Sequence, residues 1–177
     1  MIDLEKHKRI DLKIGEVHIS KEPEMVWTIL GSCVAVVFHN KRLKTGGICH
    51  ARLPEENSRG PKCSDACPIK CLKEVPDSNQ FIYVTCSIRY LLKRFLQLGI
   101  KQNEIDVKIF GGAAVLPYSE KLKPIGEQNI EAALRMIEEL SLNLVSQNTG
   151  GKRGRTLYFN TETGIVFVRS HKHSQSQ

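Results

Sequence analysis

The stretch LGSCVAVVFHNKRLKTGGICH, Leu30 to His50, decides how the rest of the chain is read. A Gly-Ser pair leads into an apolar run from Cys33 to Phe38 that is rich in β-branched residues. A polar turn at Asn40 to Lys44 breaks it, and a second apolar segment, Gly46 to Leu53, carries a histidine and stops at Pro54. Short apolar runs bounded by turn residues predict two buried strands joined as an antiparallel pair. The pairing places a thiol, Cys33, where the first strand starts and an imidazole, His50, where the second ends. Folding at the turn brings both to one edge of the sheet. Cys49 alternates to the opposite face and belongs to the core.

Outward from this pair, Ile10, Leu12, Ile14, Val17 and Ile19 alternate with polar residues, predicting one half-buried strand with a bulge at Gly15. Met25 to Leu30 reads as a further strand. Residues 55–79 hold three prolines and three cysteines and read as a long loop or a small insertion. A helix is predicted over Gln80 to Leu98, with Leu91, Leu92, Phe95 and Leu98 as its apolar stripe and Gly99 as its stop. Ile105 to Ile109 forms a strand running into Gly111-Gly112, a turn that needs close packing or positive φ and lacks a phosphate-loop pattern. A second helix is predicted over Gln128 to Leu140, with Ile130, Leu134, Ile137 and Ser141 along one face. Strands follow at Leu142 to Ser146, Thr156 to Phe159 and Ile165 to Arg169, the last two as a hairpin. These elements give one compact α+β domain of layered sheets with two main helices over residues 1–170, and a polar tail at 171–177. Strands in consecutive runs argue against a doubly wound sheet.

The 177 residues suffice for a single hydrophobic core, and 41% hydrophobic content is ordinary for a globular chain. The apolar run from Cys33 to Phe38 is far short of the ~20 residues of a spanning helix, and the first residues lack a signal-peptide core, so the expectation is a cytoplasmic protein without membrane insertion. Lys and Arg outnumber Asp and Glu by 26 to 19, a net +7 that favours acidic partners. Nucleic acid is the poorer choice among them, because no DNA-binding motif appears and aromatics are 6%.

A thiol becomes nucleophilic when an imidazole removes its proton and backbone N–H groups supply a positive field. Gly31-Ser32 forms a tight turn whose N–H groups are candidate oxyanion donors. The spacing alone leaves open the reading of Cys33 as a core thiol and His50 as a hydrogen-bonded structural histidine. Gly150-Gly151-Lys152-Arg153-Gly154-Arg155 is a basic turn suited to an anion or to solvent. Cys63, Cys67 and Cys71, with Cys86 as a fourth ligand, are candidates for a structural zinc or iron–sulfur site, against a reading as reduced loop thiols. His171 and His173 read as solvated tail residues.

LGSCVAVVF followed by GGICHARLP resembles the CheD family of chemoreceptor glutamine deamidases. The likeness continues in KIFGGAA (Lys108 to Ala114), IGEQN (Ile125 to Asn129), NTGGKRGR (Asn148 to Arg155) and TETGIVFVR, in the family's order. The resemblance implies that Cys33 is the nucleophile, His50 its general base and Thr28 the third member of the site. It implies hydrolysis of receptor glutamines to glutamate without a catalytic cofactor, with methylesterase activity in some members. Lys152, Arg153 and Arg155 would then face the receptor. It also implies the alternative of a regulator that binds and stimulates the CheC phosphatase. The cysteine insertion departs from the family pattern.

Overall fold

The computed structural model describes residues 7–55, 80–115 and 122–171. The predicted strand pair is β4 (Val34–Asn40) and β5 (Thr45–Ala51), antiparallel in the register Val34 to Ala51 and Ala35 to His50. Around it stand β2 (Val17–Ser20), β6 (Asp106–Gly111) and β7 (Asn143–Thr149), in a five-stranded sheet ordered β2-β5-β4-β6-β7. A four-stranded sheet is ordered β1-β3-β8-β9, from β1 (Lys8–Asp11), β3 (Glu24–Leu30), β8 (Arg155–Asn160) and β9 (Val166–Ser170). Two strand pairs, β1 with β3 and β6 with β7, are parallel and the others antiparallel. This is the α+β domain of layered sheets that the sequence predicts.

The alternation of side chains in β4 and β5 separates two cores. Val34, Val36, Phe38, Cys49 and Ala51 face the helices α1 (Val84–Gln97) and α2 (Ile125–Glu139). Cys33, Ala35, Val37 and Ile48 face the other sheet, where Val26, Leu30, Leu157 and Phe159 meet them. Phe38 and Phe95 close the helix-side core edge to face, with ring centroids 5.6 Å apart, a contact worth ~0.5–1.5 kcal/mol beyond its buried area. At one end the sheets are clasped by His18 of β2, whose Nε2 lies 2.6 Å from Glu24 Oε2 of β3.

The structure corrects several boundaries, the first helix among them: it starts at Val84 rather than Gln80, after a short 3-10 turn over Gln80–Ile82. The predicted first strand is two strands in different sheets. Gly15, with φ +82°, turns the chain out of one sheet, and its N–H donates to the carbonyl of His50, 2.8 Å away. The second helix starts at Ile125, not Gln128, because Gly126 lets it press on the Gly112 turn: a β-carbon at residue 126 would lie 2.5 Å from the Gly112 carbonyl oxygen. Its buried face is Asn129, Ala132, Ala133, Met136 and Ile137, and Leu134 is 36% exposed. Short alanines let α2 lie close to the sheet, which turns the larger Leu134 outward. His171 is not a loose tail residue, since its Nε2 lies 2.9 Å from Thr156 Oγ1 and its N–H donates to the Gly154 carbonyl.

Candidate active site

Cys33 precedes β4, and His50 pairs with Ala35, so Cys33 and His50 are diagonal neighbours on the same face of the sheet. That is a distance regime in which side chains meet. Opposite them, β3 places Thr28 on the face it shares with Val26 and Leu30. The three sequence-predicted residues therefore converge between the two sheets, with Cys33 8% exposed and Thr28 and His50 each 2% exposed.

One hydrogen-bond chain fixes the chemistry of the imidazole. Thr28 Oγ1 donates its proton to the carbonyl of Leu12 at 2.6 Å, and His50 Nδ1 lies 2.8 Å from the same oxygen. A hydroxyl has one proton to give. Nδ1 must therefore carry a hydrogen and donate to Thr28, which leaves the lone pair of neutral His50 on Nε2. That nitrogen is buried and has no hydrogen-bond partner among the described residues.

Burial holds the His50 imidazole below the ordinary histidine range, against the upward pulls of the Leu12 carbonyl and Glu16. Burial likewise pushes the Cys33 thiol up, opposed by the positive charge of Arg52 and by its own backbone N–H. Both shifts favour the uncharged pair at rest, a thiol beside a neutral base. Cys49 is fully enclosed on the helix side, with its thiol pushed up to about 12, as its place in the alternation requires.

The turn before the thiol is held by all three of its carbonyls. Gly112 N–H donates to Cys33 at 2.7 Å and Ala113 N–H to Gly31 at 2.9 Å. Asn129 Nδ2 reaches Ser32 O and Arg52 O, each at 2.9 Å. Gly111 (φ +100°) is required here, as a β-carbon would collide with the Cys33 carbonyl oxygen.

Of the predicted basic surface, Lys152 and Arg153 are exposed. Arg155 is not surface. It is buried, and its guanidinium ties the Asn148 and Gly150 carbonyls and the Asn148 side chain, closing the loop from within. Cys63, Cys67 and Cys71 lie outside the described residues, and Cys86 is buried on α1. Sequence reasoning missed Asn129 and Arg52. Asn129 carries a signal, a lone amide within the apolar face that runs through Ala132, Ala133 and Met136. Arg52 is two residues past His50 and so shares its face of an extended strand.

Fold and site together define an α+β sandwich with a thiol and an oriented imidazole poised for acyl chemistry. The family described as CheD chemotactic sensory transduction matches residues 68–170. The chain is 38% identical to a protein of Maridesulfovibrio salexigens named "Probable chemoreceptor glutamine deamidase CheD", over 94% of each chain. It is 34% identical to the protein of that name from Pyrococcus horikoshii, over 92% of each, and 33% identical to "Probable chemoreceptor glutamine deamidase CheD 2" of Geobacter sulfurreducens, over 93% of this chain and 91% of that one. This chain belongs to the CheD family. Among the described residues, no helix is long and apolar enough to cross a membrane.

Proposed function

We propose that this protein is a chemoreceptor glutamine deamidase acting in the cytoplasm, with Cys33 as nucleophile, His50 as general base and Thr28 as the residue that orients the base. The observation that carries it is the buried Nε2 of His50, without a hydrogen-bond partner among the described residues, on the same sheet face as the Cys33 thiol. The names of the whole-length relatives supply the substrate class.

The reaction runs as acyl transfer. His50 Nε2 takes the Cys33 proton as the sulfur attacks the carboxamide carbon of a receptor glutamine. The negative charge formed on the amide oxygen is met by N–H groups of the Gly31-Ser32-Cys33 turn. The imidazolium returns its proton to the amide nitrogen, ammonia leaves, and a thioester remains. Water, deprotonated by the same Nε2, attacks that thioester, releasing glutamate and restoring the thiol. No step calls on a cofactor. A structural metal on Cys63, Cys67, Cys71 and Cys86 would serve order alone, and metal analysis of wild type and Cys67→Ser tests it.

Receptor docking falls to exposed cations near the Gly150 turn, Lys152 and Arg153. The resemblance adds CheC as a partner at the same mouth, so CheC and receptor should compete. The deciding experiment is mass spectrometry of receptor cytoplasmic domains incubated with wild type and Cys33→Ala. A gain of one mass unit at particular glutamines with wild type alone is expected; equal conversion by both would remove Cys33 from the chemistry.

A further inference from the structure

We infer that Asn129 is a positioning residue of the deamidation reaction, one that sets the direction of the oxyanion-binding N–H of Cys33. This rests on the reading of Cys33 as nucleophile.

Asn129 lies on α2, on the helix side of the five-stranded sheet, and is fully buried. Both hydrogens of its amide are spent on backbone carbonyls, Ser32 O and Arg52 O, at 2.9 Å each. Ser32 O belongs to the peptide plane whose nitrogen is that of Cys33. In a trans peptide the C=O and N–H point in opposite directions, and the chain has no cis bond among its described residues. By drawing the Ser32 carbonyl toward the helix layer, Asn129 turns the Cys33 N–H away from that layer. That is the side on which the Cys33 and His50 side chains stand.

The second bond fixes the other half of the site. Arg52 O is two residues beyond His50, so one amide group ties the chain ahead of the nucleophile to the chain behind the base. Asn129 Oδ1 is buried with no hydrogen-bond partner among the described residues, so the side chain is held by its two donated bonds alone. An apolar residue would fill the same space and would leave the two carbonyls unheld.

Removing one oxyanion donor from an acyl-transfer site costs ~10²–10³-fold in kcat. Two variants test the inference, Asn129→Asp, which keeps the shape, and Asn129→Ser, which shortens the reach. Each is measured for kcat and KM on a receptor cytoplasmic fragment and for the alkylation rate of Cys33 by iodoacetamide, a displacement that forms no oxyanion. The expected result is a loss of ~10²–10³-fold in kcat with KM within about threefold of wild type, and a much smaller slowing of alkylation, because the same N–H also lowers the thiol. Wild-type kcat in either variant overturns the inference. So does a parallel loss of alkylation, which would make the side chain a support of the thiol itself, or loss of the fold in both variants. Cys33→Ala is run alongside. Turnover by that variant would defeat the nucleophile reading, whereas an inactive Cys33→Ala with fully active Asn129 variants would defeat only this inference.

Discussion

Thr28 Oγ1 spends its proton on the Leu12 carbonyl and therefore receives the Nδ1–H of His50, so a threonine in one sheet decides which nitrogen of a histidine in the other is basic. Thr28→Val keeps the shape and removes the acceptor. The Leu12 carbonyl loses its donor and Nδ1–H loses its partner, freeing the imidazole to adopt the other tautomer. Turnover should fall by on the order of 10-fold or more, and Thr28→Ser should restore most of it. Deamidation assays on the two variants check this; equal rates in wild type and Thr28→Val would leave the tautomer to some other group.

Cys33→Ala should abolish turnover while melting within a few degrees of wild type, because the thiol at the mouth gives up little packing. His50→Ala should cost on the order of 10²-fold or more. Thermal melts beside receptor mass spectrometry separate loss of chemistry from loss of fold.

Arg52 is the positive charge that pulls the Cys33 thiol down. Arg52→Gln should raise that thiol further and slow its alkylation at neutral pH. Arg52 is exposed, so added salt should slow wild type toward the variant. Cys49, with its thiol near 12 and no exposure, should stay unmodified in both. An alkylation rate indifferent to the substitution and to salt would remove Arg52 from the site's electrostatics.

The pH dependence follows from the directions of the shifts. His50 is held below the ordinary value of 6.5, so it stays a neutral base as the pH falls through that value. The kcat/KM profile should hold its plateau there and decline only at lower pH. Stability carries the same sign. Below 6.5 the unfolded chain takes up a proton that folded His50 refuses, so this contribution is intact above that pH and is lost as the pH falls through the folded-state value. Rate and melting profiles of wild type and His50→Gln test both: the variant should lack this acid-side loss of stability.

Lys152→Glu with Arg153→Glu should weaken receptor binding and flatten its salt dependence. Arg155→Glu should instead destabilise the protein, because a buried guanidinium that ties two carbonyls would become an unpaired carboxylate. Binding titrations at two ionic strengths and a thermal melt distinguish the two outcomes.

The strand pair and its two faces were legible because alternation in Val34 to Phe38 and in Ile48 to Ala51 is a local property. So were Cys33 and His50, whose approach follows from a turn of known length. Thr28 entered only through a family resemblance, since its partner lies across a sheet interface that no spacing encodes. Arg155 misled for a related reason. In sequence it resembles Lys152 and Arg153, and only the closure of its own loop buries it. The split of the first strand at Gly15 was hidden because alternation continues on both sides of the turn.

The site's members come from two sheets that share no backbone ladder in the described residues, so the spacing between the layers is itself a catalytic coordinate. A slip of one ångström would stretch the Thr28–His50 contact past hydrogen-bonding length while every strand stayed paired. Interior side chains such as Phe159 and Ile48, and the His18–Glu24 clasp at the sheets' edge, therefore act as shims. Trimming one should dim turnover at temperatures where circular dichroism still reports an intact protein, making the enzyme a gauge of its own sandwich.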